Sequence, residues 1–465
     1  MSMPGGLRDL LKAISSSKSG IIGVAILLII TGVSVFAIIF VPFDVVSKWN
    51  NPIFWLENPR VAAPEWVTFI TGKNIPSTIR IPPEKFNKYE YYVEASGLKY
   101  ITLDARFDFN YDDFPSELTV ILYANYSKSR PLVTIKLVRP DTLEATLYKN
   151  VIDNPVVYFY ISTDNAIKEN VYNFLLILGT NTNRTIYPEK CLFAINNENM
   201  GNSNLAQILK GSYRIKIELI ATDESDTANA EFISYGQVQG LAGTDYKRHD
   251  LFIGLVWGAP VALAFGLSAA IATSIIQSFL GALSAWYGGI VDEIVQRVTE
   301  IYMILPFLPF LILISLIYEI NLWVLIVIII ALSLFGGVTK TARSVTFQIM
   351  SEQYIEAAIS YGASKLRILF LYIMPRLLPY IVANIVLAVP AYVFLEAALS
   401  VLGLGDPLVP TWGKIISDAY SSGAVIHGWW WWILLPALLI MITAMAFALI
   451  GYALDKYANP KLRER

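Results

Sequence analysis

Six apolar stretches constrain this chain more than any other feature. They run at about 21–42, 256–287, 299–318, 322–339, 377–402 and 430–453. A bilayer core about 30 Å thick takes roughly 20 residues of helix to cross, and in lipid a segment must satisfy its own backbone polar groups. Each stretch therefore reads as a membrane helix. The fourth is short and meets polar sequence at Lys340, while the second is long enough to tilt or to extend past the lipid. With 55% hydrophobic and only 15% charged residues the composition suits this reading, and a net charge of −2 gives no reason to expect a nucleic-acid partner. The single cysteine, Cys191, excludes an intramolecular disulfide and a cysteine-based zinc site.

The first stretch follows Arg8, Lys12 and Lys18, as a secretory signal would. Its apolar run exceeds the h-region of about 7–15 residues, and no small-x-small site closes it before Val41-Pro42-Phe43, so it reads as a retained anchor. Lys and Arg in the short flanks set orientation. With six spans, Arg8, Lys12 and Lys18, then Lys340, Arg343, Lys365, Arg367 and Arg376, then Lys456, Lys461, Arg463 and Arg465 all fall on one side. That side is expected to be the cytoplasm, with both termini in it. The opposite loops are poor in basic residues: 319–321 has none and 403–428 has only Lys414.

Residues 46–240 interrupt this pattern between the first and second spans. Period-two alternation appears at 100–107 and 213–219, and 118–123, 132–138, 145–148 and 156–161 read as further short strands between Pro, Asp, Asn and Gly. The expectation is an extracellular antiparallel β-sandwich, immunoglobulin-like or fibronectin-like. The acidic stretch 222–230 reads as the linker back to the membrane. Asn125-Tyr126-Ser127 and Asn183-Arg184-Thr185 are glycosylation sequons. Their placement outside suits an archaeal or eukaryotic glycoprotein.

The segment 354–376 lies between two apolar runs, yet carries several charges and a turn-forming Gly362. A polar helix–turn–helix there calls for a partner outside the bilayer. Glu356 to Tyr361 can form a short helix closed by Gly362 in an open backbone conformation. A second helix then begins at Ala363, with Lys365 and Arg367 in water. Small Ala357 and Ala358 would let a partner's groove approach closely. Glu356-Ala357-Ala358, Gly362 and Pro375 stand at the spacing of the EAA loop of ABC importer permeases, which this segment resembles. A second Glu396-Ala397-Ala398 lacks the glycine and lies inside an apolar span. Gly243-Thr244-Asp245 with Asp250, then residues 286–293 (Trp-Tyr-Gly-Gly-Ile-Val-Asp-Glu), 399–405 (Leu-Ser-Val-Leu-Gly-Leu-Gly), 410–413 (Pro-Thr-Trp-Gly) and Asn459-Pro460-Lys461-Leu462 resemble patterns of the dipeptide/oligopeptide importer family, C-type subunit. The resemblance is close over 241–465 and loose over 1–45; Arg248 and His249 replace a Gly-Arg of the family's first pattern.

The resemblance implies an α-helical permease fold of six transmembrane helices, with helix 1 within 1–45 and the permease domain at 241–465 with its coupling loop at 344–376; the β-rich insertion at 46–240 matches nothing in the usual family member. The resemblance also implies a second permease subunit, two cytoplasmic ABC ATPases, one of which grips Glu356, Ala357, Ala358, Gly362, Lys365, Arg367 and Pro375, and an extracellular substrate-binding protein. ATP and magnesium would be bound by those ATPases, with no cofactor, metal or catalytic residue in this chain. Peptides are the first expectation for substrate and oligosaccharides the alternative. Candidates for the translocation path are Asn384, Pro390, which would kink its helix, and Glu396, an ionisable group at membrane depth. Glu396 equally fits a role holding the 403–413 loop by hydrogen bonds.

Other features read more plainly. Residues 336–341 are no P-loop, since Thr339 takes the place of the second glycine and an apolar helix precedes them. The tryptophans at 429–432 read as an interfacial anchor. His249 and His427, the only histidines, lack neighbours at ligand or triad spacing. A membrane-anchored adhesion or sensor protein would need one span rather than six, and a stand-alone channel leaves the 356–375 segment without a purpose. The insertion could dock the binding protein, brace the partner permease, or be a decoration without a transport role.

Overall fold

The computed structural model describes residues 6–458 apart from 128, 181–185, 203–204, 319–320 and 407. The chain forms two compact units, one of residues 51–251 and one of residues 1–50 with 252–465. Asn183 lies outside the described residues. Asn125 is exposed, at the end of its strand.

Among the described residues of the first unit are nine strands: β1 (Ile79–Ile81), β2 (Asn87–Val93), β3 (Leu98–Phe109), β4 (Glu117–Asn125), β5 (Leu132–Val138), β6 (Glu144–Val151), β7 (Val156–Tyr160), β8 (Gly211–Ala221) and β9 (Thr227–Tyr235). They form two antiparallel sheets, ordered β1-β9-β4-β7 and β2-β3-β8-β5-β6. Alternation puts Ile101, Leu103, Phe107, Ile135, Leu137, Ile215 and Ile217 of one sheet against Val120, Leu122, Ala230 and Phe232 of the other, in one core. Each such side chain taken from water contributes about 1.5–3 kcal/mol before chain entropy is counted.

Lettering β3 to β9 as A to G, the inner pairs B–E and C–F of an immunoglobulin sandwich are kept as β4–β7 and β5–β8. Strands A, D and G have changed sheets, since β3 pairs with β8, β6 with β5 and β9 with β4. The immunoglobulin-like expectation thus holds at the centre and fails at the edges.

The stretch 222–230 is not a linker. Its acidic residues make a tight turn, in which the Asp226 carboxylate accepts from Asp223 N (3.2 Å) and Ser127 N (2.9 Å), and β9 follows at once as an inner strand. Residues 241–251 fold with the β-rich unit. There the buried Thr244 hydroxyl donates to the Pro59 carbonyl (2.8 Å) and accepts from Ala62 N (2.9 Å).

A helix that the strand pattern leaves out, Asn165–Ile177, is capped by Asp164 and lays Ile167, Val171 and Leu175 on the core. Behind it Arg139, with a fully buried side chain, donates to the carbonyls of Cys191, Leu192 and Ala194 and pairs with Asp141 at 2.8 Å. Next to this strut, Glu189 is 8% exposed and its Oε2 has no hydrogen-bond partner.

Burial pushes the Glu189 carboxyl above its ordinary range, outweighing a hydrogen bond from Ser162. A carboxyl whose folded-state pKa is raised favours the fold below its unfolded pKa and loses that contribution as pH rises. Glu189→Gln is therefore expected to raise stability at pH 7 by on the order of 1 kcal/mol. The gain should shrink towards pH 4 when unfolding is followed by circular dichroism at both pH values.

The second unit is helical. Among the described residues, four helices are long and apolar enough to cross a membrane: Lys18–Phe40, Leu251–Tyr287, Lys365–Val401 and Trp430–Leu454. The expected third and fourth spans are not straight helices. Gly289–Ile304 and Phe307–Ile317 meet at 75°, and Leu322–Leu332 and Gly337–Met350 at 51°. Pro306 stands at the first break and Gly336 at the second. By length and composition the spans among the described residues number four, or up to six if each bent pair is one.

Leu251–Tyr287, 37 residues long, measures about 55 Å and so outruns the hydrocarbon. An unforeseen helix, Gly6–Ser16, precedes the first span; its Leu10 packs with Ile450 and Leu454 of the last.

Candidate coupling surface

The helix Gln353–Ser360 ends in a Schellman turn. Gly362 has φ +76°, its N–H donates to the Ile359 carbonyl (2.9 Å), and Ala363 N donates to the Ala358 carbonyl (3.0 Å). Ser364 then caps the next helix, accepting from Arg367 N. That helix, Lys365–Ile368, runs through a π turn, Leu369–Ile373, into Met374–Val401. The π turn falls just before Pro375, which lacks an N–H and whose ring would clash with the carbonyl four residues back. Widening the turn relieves both problems.

Two faces result. Ile355, Ala358, Ile368, Leu369, Ile373 and Leu377 are buried together, against Ala282 and Ile349 of the neighbouring helices. Glu356, Ala357, Gly362, Lys365, Arg367 and Pro375 are exposed. Around them stand apolar side chains that gain nothing from water: Tyr361 is 91% exposed, and Ile359, Leu366 and Phe370 each more than half. Ala358 does not join the outward face. At 7% exposure it packs into the chain's own core, because a helix places neighbouring residues about 100° apart and Ile355 already defines the inward side.

The surface rests on a braced base. Gly288 and Gly289, at φ +60° and +55°, turn the chain from Leu251–Tyr287 into Gly289–Ile304. Asp292, in the first turn of the latter, accepts from Ser284 Oγ (2.5 Å) and from Arg343, whose Nε donates at 2.6 Å and whose Nη2 makes a second bond. Such a bidentate pair fixes angle as well as distance. Trp286 Nε1 donates to the Lys365 carbonyl at 2.9 Å, and the Lys365 ammonium lies 5.5 Å from the Tyr287 ring centroid. Gly281 lets its helix approach the Thr339 carbonyl so closely that a Cβ there would overlap it. The Asp292–Arg343 bond is a bracing contact that sequence reasoning missed; the only signal was the Asp in the 286–293 motif.

The path candidates do not form a site together. Asn384 is half-buried and donates to its own helix, at Tyr380 O (2.9 Å). Pro390 is half-buried beside a cavity of about 330 Å³ lined by Phe307, Ser333, Ala388, Ala391, Tyr392 and Leu395. Neither Asn384 nor Glu396 lines that cavity. Glu396 is 4% exposed and accepts from Ser400 Oγ (2.8 Å) and from the Thr411 side chain. One of these partners lies on its own helix and the other at the end of the 403–413 loop.

That loop is equally built. Gly403 at φ +80° closes Met374–Val401 with a second Schellman turn, where Leu404 N donates to Leu399 O (2.9 Å). Thr411 caps Trp412–Ser421, and Trp412, 2% exposed, donates through Nε1 to Leu255 O at 2.8 Å.

Residues 277–464 match the family described as the inner membrane component of binding-protein-dependent transport systems. The oligopeptide transport system permease protein OppC of Bacillus subtilis is 32% identical over 225 residues, covering 48% of this chain and 72% of that protein. The dipeptide transport system permease protein DppC of the same organism is 32% identical over 224 residues, covering 48% and 68%. OppC of Escherichia coli is 32% identical over 223 residues, covering 48% and 72%. With its EAA turn, glycine elbow and Thr-Trp-Gly loop in place, this chain belongs to the inner membrane components of binding-protein-dependent transport systems, as a C-type permease of the dipeptide/oligopeptide ABC importers.

Proposed function

We propose that this chain forms half of the membrane pathway of an ATP-driven peptide importer, paired with a second, B-type permease. Of two cytoplasmic ABC ATPases, one takes the exposed face of 353–371 into a groove. An extracellular binding protein delivers the peptide. Each bent helix pair counts as one span in this reading, giving six, with both termini and the 353–376 segment in the cytoplasm and 46–240 outside. The bias of Lys and Arg supports that orientation. Peptides are preferred to oligosaccharides because the similar permeases are named for oligopeptide and dipeptide transport.

The observation that carries the reading is the coupling surface itself. Tyr361, Leu366 and Phe370 stand exposed over a core fixed by the Asp292–Arg343 pair. A rigidly supported patch of this kind transmits a push instead of absorbing it, and exposed apolar side chains rimmed by charge suit a protein groove.

The test is purification of the full chain from its own membranes in mild detergent, with identification of what accompanies it. Two P-loop ATPases, a second permease and a binding protein holding a peptide are the expected result. Repeated recovery without any ATPase would overturn the importer reading, and an oligosaccharide in the binding protein would overturn the substrate.

A further inference from the structure

The β-rich unit leaves an apolar knuckle in the open. The short helix Val67–Thr71 carries Phe69, 88% exposed, and Ile70, 74% exposed, and it ends at Gly72 with φ +65°. Beside it Leu241 is 66% exposed. The two pieces are tied together. Trp66 Nε1 donates to the Leu241 carbonyl at 2.9 Å, Glu65 N donates to Gly240 O at 2.9 Å, and Gly240 N donates to Glu65 Oε1 at 3.1 Å. Half-buried Trp66 thus ties Phe69, Ile70 and Leu241 into one patch, whose hydrogen bonds leave those three side chains outward. Water is a poor solvent for such a patch.

Its place in the chain says what covers it. Two residues beyond Leu241, the Gly243 carbonyl accepts from the N–H of Leu251 at 3.0 Å. Leu251 is the first residue of Leu251–Tyr287, a helix apolar enough to cross a membrane. The knuckle is therefore made next to the first residue of that helix. A tryptophan with its indole N–H bonded, flanked by Phe, Ile and Leu, suits the boundary of headgroups and acyl chains. Lys73, exposed just past Gly72, can reach headgroup phosphates from there.

We infer that Trp66, Phe69, Ile70 and Leu241 form a monotopic lipid contact, inserted at the headgroup–acyl boundary of the leaflet where the Leu251–Tyr287 helix enters. The inference requires that helix to cross a membrane and is independent of the transport reading.

The test uses the full chain in lipid nanodiscs, with Phe69→Cys and, separately, Leu241→Cys labelled with bimane. Native Cys191 is 3% exposed and burial pushes its thiol up to about 11, so it stays unlabelled. Tyr89→Cys, at a 62% exposed site on β2, is the reference. Labels at 69 and 241 are expected to lose most of their fluorescence to nitroxide-bearing lipids and to resist aqueous iodide, with the reverse at 89. Iodide quenching at 69 and 241 equal to that at 89 would overturn the inference. So would protection from both quenchers, which means a protein cover, or disagreement between 69 and 241, which means that they do not share one contact.

Discussion

Gly362→Pro is expected to abolish ATP-driven uptake while leaving the subunit in the membrane. At φ +76° this glycine occupies the left-handed region, and its N–H holds the Ile359 carbonyl. Proline fixes φ near about −65° and has no N–H, so both the turn and its bond are lost. The local cost is about 3 kcal/mol, small beside the free energy holding the spans together. The geometric effect is large. The turn sets the angle between Gln353–Ser360 and Lys365–Ile368, whose inward residues Ile355 and Ala358 on one side and Ile368 and Leu369 on the other share one core.

Redirecting the chain at 362 separates Tyr361 from Leu366 and Phe370 and breaks up the outward face. Gly362→Asn, which tolerates the left-handed conformation, is expected to keep most of the uptake. The measurement is peptide uptake and substrate-stimulated ATP hydrolysis by the assembled transporter in proteoliposomes. Normal coupling in Gly362→Pro would show that the segment does not transmit the ATPase stroke.

Much of this surface was legible because its signals are local. The Schellman turn needs only a glycine after a short helix. Lys365 and Arg367 had nowhere to go but water, and both are exposed. Strands β3, β4, β5 and β8 were legible for a similar reason, since alternation is written in adjacent residues. What failed depended on partners far along the chain. Asp292 and Arg343 lie 51 residues apart, and no periodicity announces that they meet. Strand β9 hides its start in an acidic turn, and only its place between β1 and β4 makes it an inner strand. Ala358 looked like half of a small-residue pair, but helix geometry turns it inward while Ala357 stays out. Glu396 has Ser400 four residues on as a partner within reach of a helix reading, but Thr411, fifteen residues on, is a partner that no periodicity announces.

Trp412→Ala is expected to be the most destabilising single substitution in the helical unit, by about 3–5 kcal/mol, the usual range for deleting a buried aromatic side chain. The indole fills a slot made for it. Gly258 stands against its ring so closely that a Cβ there would overlap the indole, and Gly413, the next residue, lies against Ala397. Its Nε1 is bonded to the Leu255 carbonyl, so Trp412→Phe should cost about 1 kcal/mol for that bond in addition to lost volume.

The slot predicts a coupling that separates packing from any other role of the loop. Gly258→Ala alone should cost roughly 1–3 kcal/mol by overpacking. In the Trp412→Ala background the same change meets an empty cavity, and alanine is the better helix former by about 1 kcal/mol. There Gly258→Ala should be neutral or stabilising. A double-mutant cycle on thermal unfolding of the full chain in detergent should therefore give an interaction energy of about 1–3 kcal/mol. Additive effects would mean that the two residues do not share a slot, and that the Thr-Trp-Gly motif has a purpose other than locking Trp412–Ser421 to the membrane helices.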